Sequence, residues 1–319
     1  MPDAMLLLKA SVLAAVLAAI AVLLAGNPWR QPRTPLVAIG GVLGIAGGFL
    51  AGVWLLGLTP SFPPTEDQDR LLLIVLPAVV IVEMGCAFLG NRPWAAWLLR
   101  LMVAAGAAPV LLHGSVYLSG AAGADALAWS PIQTALILGL LGTALLAQWA
   151  LLDRLAQRRA GSVVLLSLAV ATGGAGIVIM LSGYSSGGQL GPPLAAALGG
   201  AALAGFVLME ATGLRGVLGL GLVGLFALLV IGRFFGSLTT TNAALLFAAP
   251  LLGWLPELPF VQRLGPRLRQ LAHLALTVLP VAAALTFAVQ AFVEASKPRT
   301  FAPSNAVESS PSDYLNFGK

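Results

Sequence analysis

Apolar stretches of about 20 residues recur along the whole chain, parted by short breaks rich in proline, glycine and charge. A helix of that length crosses about 30 Å of hydrocarbon at a rise of 1.5 Å per residue. The pattern predicts spans over roughly 5–25, 35–57, 71–89, 94–118, 131–152, 162–182, 192–210, 217–235, 243–259 and 271–293. The eighth runs into Arg233, and the ninth ends in Trp254, Leu255, Pro256, Glu257, Leu258 and Pro259. The first apolar run is longer than a signal-peptide core and holds Lys9 within it, so it reads as a first helix. Beyond the last span, residues 294–319 form a polar tail with Pro298, Pro303 and Pro311, too poor in apolar side chains to fold alone. The expected fold is an all-α, polytopic transmembrane bundle of about ten spans with no soluble domain.

Composition sharpens this reading. Apolar residues make up 59% of the chain and charged residues 9%, against about 25% charged in soluble domains. The chain lacks the polar residues to cover a water-facing surface, so lipid is its solvent. The net charge of +5 then belongs to loops at anionic headgroups, and with no long run of Lys or Arg it does not imply nucleic acid. Cys86 is the only cysteine; it allows no intrachain disulfide and no cysteine metal site, and its apolar surroundings suggest a buried, inert thiol.

Charge placement orients the bundle. Arg30 and Arg33, Arg92, Arg154, Arg158 and Arg159, Arg215, and Arg263, Arg267 and Arg269 fall in the odd-numbered connections. The even-numbered ones hold only Arg70 and Arg233. The positive-inside rule makes the odd connections cytoplasmic and puts both termini outside, with a prokaryotic inner membrane as the expected location. Lys297, Arg299 and Lys319 in the tail pull mildly the other way. Trp29, Trp54, Trp94, Trp97, Trp129, Trp149 and Trp254 fall near span ends, as an interfacial aromatic belt would.

Glycines are the most patterned feature inside the spans. Gly40, Gly44, Gly48 and Gly52 repeat every fourth residue, forming a stripe along which another helix can approach closely. Gly173, Gly174 and Gly176, then Gly199, Gly200 and Gly205, then Gly216, Gly219, Gly221 and Gly224 suggest the same. Such stripes, or the tail, are also where a protein partner would dock; the other expected partner is membrane lipid.

Glu83 and Arg100 flank the short turn at Gly90, Asn91, Arg92 and Pro93 at similar distances, so an antiparallel hairpin sets them at one depth. They form a candidate buried ion pair, or a proton- or ion-coupling site. His113 and Arg233 approach the outer leaflet from different spans and form a candidate outer polar site; His273 reads as interfacial. Tyr184 and Gln189 mark the glycine-rich connection Ser182 to Pro193, either a plain outer turn or unwound backbone of the kind that builds substrate sites. Glu66, Asp67 and Asp69 precede the third span, where acids cap a helix N-terminus.

No nucleotide fingerprint, zincin or hydrolase motif is legible, and no metal or cofactor is implied. This weighs against an enzyme. The spans, the prolines within them and the few internal charges point first to a secondary transporter or permease. The poverty of polar residues points second to a non-catalytic subunit or scaffold of a membrane complex. A lipid-processing enzyme comes third.

Overall fold

A computed structural model describes residues 3–26, 34–89, 92–118, 128–158, 161–208, 216–257 and 265–297. The helices are α1 (Ala4–Ala25), α2 (Thr34–Leu55), α3 (Asp67–Phe88), α4 (Pro93–Leu112), α5 (Pro131–Arg158), α6 (Gly161–Leu181), α7 (Ser185–Val207), α8 (Leu218–Phe234), α9 (Thr240–Ala248) and α10 (Pro266–Ser296). No strand occurs among the described residues. Eight of these helices are long and apolar enough to cross a membrane unaided.

The remaining two, α8 and α9, traverse the same depth. α8 has Gly219 against Glu83 and Trp149 at one end and Gly232 against Ile179 at the other. α9 has only nine residues, but a 3₁₀ segment, Ala249–Glu257, continues it. At rises of 1.5 and 2.0 Å per residue the two together reach about 31 Å. The Asn242 end lies with Ala288 and Phe292 of α10, and Gly253 faces His273 near the start of α10. This stretch therefore runs antiparallel to α10, alongside its residues 273–292. Proline explains its tighter winding: Pro250 has no N–H to bond the carbonyl of Leu246.

The same chemistry acts in α3. Pro77 cannot bond back to Leu73, and the preceding turn, Leu71–Val75, opens into a π-helical one. α4 stops at Leu112 rather than running to 118, because His113 turns to extended backbone and Gly114 follows at φ +71°. α5 runs six residues past the expected 152, which makes Asp153, Arg154 and Arg158 helical.

α2, α3, α4, α5, α9, α6 and α7 ring α8, which is buried at every position from Leu218 to Gly232. α1 packs outside against α2 and α7, and α10 packs outside against α6 and α9. α2 meets α1 along its glycines. A Cβ on Gly48 would sit 2.5 Å from the Ala14 carbonyl oxygen, and one on Gly52 would sit 3.0 Å from that of Ala10. α6 meets α7 where Gly176 faces Gly188 and Gly191; a Cβ on Gly176 would come within 2.8 Å of both backbones. Without side chains on these faces, the helices gain dispersion contact along their whole length, which replaces the hydrophobic drive that lipid does not supply.

The C-terminal tail begins as helix, since α10 continues to Ser296. The rest of the tail, residues 298–319, which the sequence offers as a place for a partner to dock, falls outside the described residues.

Candidate functional site

The bundle has a polar cluster near each end. At one end, α3 supplies Glu83, α4 supplies Trp97 and Arg100, and α5 supplies Trp149 and Asp153. Arg100 Nη2 lies 3.3 Å from Glu83 Oε2, and Nη1 lies 3.9 Å from Asp153 Oδ1. The guanidinium is also held between two indoles, with Cζ 5.2 Å from the Trp97 ring centroid and 5.5 Å from that of Trp149. Cation–π contacts of this kind contribute about 0.5–2 kcal/mol each. Glu83 is fully buried, whereas the Asp153 side chain keeps 20% of its surface exposed. Asp153 also lines a cavity of about 500 Å³ with Trp97, Thr143, Arg154 and Gln157. The charges thus form a line from an open flank to the centre of the bundle.

The pairing is incomplete. Glu83 Oε1 and Arg100 Nε have no hydrogen-bond partner. Glu83 Oε1 instead abuts α8 at Gly219, where any Cβ would collide with it and with the Trp149 ring. A static pair of Arg and carboxylate commonly uses two parallel hydrogen bonds; this one uses one.

At the other end, the acids before the third span bond to neighbours. Glu66 is the N-cap residue of α3 but makes no side-chain cap. The Asp67 carboxylate faces the first amides of α3 and accepts the Tyr184 hydroxyl at 2.8 and 2.9 Å. Asp69 accepts from the Ser61 amide at 3.2 Å and from its hydroxyl. Gln68 donates to Ser186 Oγ at 2.8 Å and to Tyr184 at 3.2 Å. From Ser185 on, the glycine-rich connection is not unwound: Ser185–Gln189 is helical and forms the first turn of α7. Gln189 reaches only Ser185 Oγ of its own turn, at 3.4 Å.

Tyr184 stitches α3 to the α6–α7 connection, and its phenol is pushed up to about 12, mainly by burial. Gln68 pulls it down, and the Asp67 carboxylate pushes it up. In an alkaline ultraviolet titration, a tyrosinate phase with its midpoint near pH 12 is expected, and Tyr184→Phe should remove it. Because the folded phenol holds its proton above the ordinary value of 10.0, the stabilising contribution is complete below that pH and is lost as pH rises towards 12.

The structure does not join His113 to Arg233 through any described contact. His113 is exposed beyond the end of α4, and the arginine beside its turn is Arg70, whose Nη2 would be 3.4 Å from a Cβ on Gly114. Arg233 is exposed on α8; its Nε donates to Thr240 Oγ1 at 3.0 Å, and its guanidinium lies over the Phe234 ring. His273, read as interfacial, is buried against α6: its Nε2 is 3.2 Å from Ser167 Oγ. Trp149 likewise lies in the core at 1% exposure, not in an interfacial belt. Cys86 is half-buried, with Sγ 3.8 Å from the Ala96 carbonyl oxygen.

Asp153 and Trp149 are the members of the charge cluster that sequence reasoning missed. Their signal is the i, i+4 spacing, which puts both on one face of α5. The described residues contain no group of His, Cys, Asp and Glu suited to a metal ion. No protein-family model, no curated protein and no solved structure matches the chain.

Proposed function

We propose that this integral membrane protein is a secondary transporter in which Glu83 carries the coupling proton. The observation that supports this reading is the free Glu83 Oε1, fully buried against the central helix while Arg100 holds the other oxygen through a single contact. A proton added at Oε1 neutralises the carboxylate and ends its attraction for Arg100. The guanidinium is then left to Asp153 and the two indoles, and α4 and α5 are released from α3. Alternating access requires two states, and the ionised and the protonated pair would supply them. The Asp153 cavity gives the proton a route from the flank. On the positive-inside rule this end of the bundle is cytoplasmic, and the membrane is a prokaryotic inner membrane.

Two measurements test this. The first is infrared difference spectroscopy of the protein in liposomes across an acid pH jump. A carboxylic-acid carbonyl band is expected in wild type, and the component that Glu83 contributes to it should be missing in Glu83→Gln. The second is proton flux, read with an internal pH dye, when panels of amino acids, sugars, nucleobases and organic cations are added outside. At least one solute class should drive flux in wild type and none in Glu83→Gln. An infrared band that is identical in the variant would overturn the role of Glu83.

One observation favours a second reading, a non-catalytic subunit. Several cavities lie on the flanks between helices and are lined almost wholly by apolar side chains, as contact faces for other membrane proteins would be. Gentle purification from native membranes separates the readings: a subunit brings a stoichiometric partner with it, and a transporter need not.

A further inference from the structure

We propose that the slot between α5, α8 and α9 binds one anionic phospholipid of the surrounding leaflet, its phosphate on Arg233 and an acyl chain below. The slot is a cavity of about 310 Å³ walled by Leu141 of α5, Phe226 of α8 and Ala244 and Phe247 of α9, with Arg233 and Thr240 at one end. From Arg233 to Phe226 it follows two turns of α8, about 10 Å of depth. The flank of α5 on this side is lipid-facing, with Ile132, Leu136 and Leu140 each more than 60% exposed.

Charge settles the class of occupant. No described carboxylate bridges Arg233; the ion pairs among the described residues involve Arg100. Thr240 takes Nε, which leaves the two terminal nitrogens of the fork free for a phosphate. Depth agrees with this. Tyr117, Trp129 and Phe234 form an aromatic cluster beside Arg233, with ring centroids 5.0 to 5.5 Å apart, and such clusters sit at headgroup level. A cation at headgroup depth above an apolar slot open to lipid matches an anionic amphiphile. A soluble anion would leave the slot unfilled, and a zwitterionic lipid would set its own cation near Arg233. The site is remote from Glu83 and does not depend on the coupling proposal.

The test is native mass spectrometry of the full chain in detergent, titrated with phosphatidylglycerol or phosphatidylcholine of the same acyl chains. Wild type should retain one phosphatidylglycerol with about tenfold higher affinity than phosphatidylcholine. Arg233→Gln should bring the two lipids level, and Arg233→Lys should keep part of the preference. Ala244→Trp fills the slot but leaves the charge, and should weaken both lipids. Ala244 and Arg233 are exposed, so these variants are expected to fold, and circular dichroism checks that they do. The proposal is overturned if wild type binds both lipids equally, if Arg233→Gln keeps the preference, or if millimolar inorganic phosphate displaces the lipid.

Discussion

Arg100→Leu is expected to destabilise the protein by about 3–5 kcal/mol, measured by equilibrium unfolding in mixed micelles of a mild detergent and SDS. The cost comes from what the substitution leaves behind. Glu83 is fully buried and Asp153 largely so, and Arg100 is the cation that approaches both. Its removal strands one carboxylate in the core and loosens another. Two indole faces that held a cation are left against an aliphatic chain. Glu83→Gln should cost far less, because the amide is neutral, occupies the same volume and keeps an oxygen that can accept from Arg100. The double variant Glu83→Gln/Arg100→Leu should regain most of the loss, so the cycle should return a coupling energy of about 2 kcal/mol or more. A single Arg100→Leu variant as stable as wild type would show that Arg100 does not hold Glu83 in the membrane.

This pair was legible before any coordinates because local chain geometry determines it. A turn of four residues between two helices forces equal depth on positions equally far from it, and Glu83 and Arg100 are so placed. The spans were legible for a similar reason: hydropathy acts within a segment. What was not legible depends on segments distant in sequence. Tyr184 bonds Asp67 across 117 residues, and nothing in either neighbourhood marks the other. The burial of His273 against Ser167 spans 106 residues of sequence, and a hydropathy run does not say which face of α10 packs on which partner. Trp149 lies in the core because its face of α5 turns toward Glu83 and Gly219, and the apolar run does not mark that face. The apolar run over 243–259 was legible as a span, but that its second half winds as a 3₁₀ segment was not.

The glycines supply the second large effect, and it discriminates between neighbours in sequence. Gly199 and Gly200 are both in α7, and a stripe read from sequence treats them alike. In the fold they are opposite. A Cβ on Gly199 meets nothing within 4 Å, whereas one on Gly200 collides with the backbone of Ala15 in α1, including its carbonyl oxygen. The obstacle is main chain, so no rotamer change relieves it; α1 must move away from α7, and its contact with Gly48 of α2 must open with it. Gly200→Ala is therefore expected to cost about 3 kcal/mol, the upper part of the usual range for overpacking. Gly199→Ala should instead leave stability unchanged or raise it by up to about 1 kcal/mol, because alanine loses less backbone freedom on forming a helix. Unfolding of the two variants in the same mixed micelles should give shifts of opposite sign. Equal shifts would mean that α1 does not sit on α7, because the Ala15 backbone beside Gly200 is what distinguishes these adjacent positions.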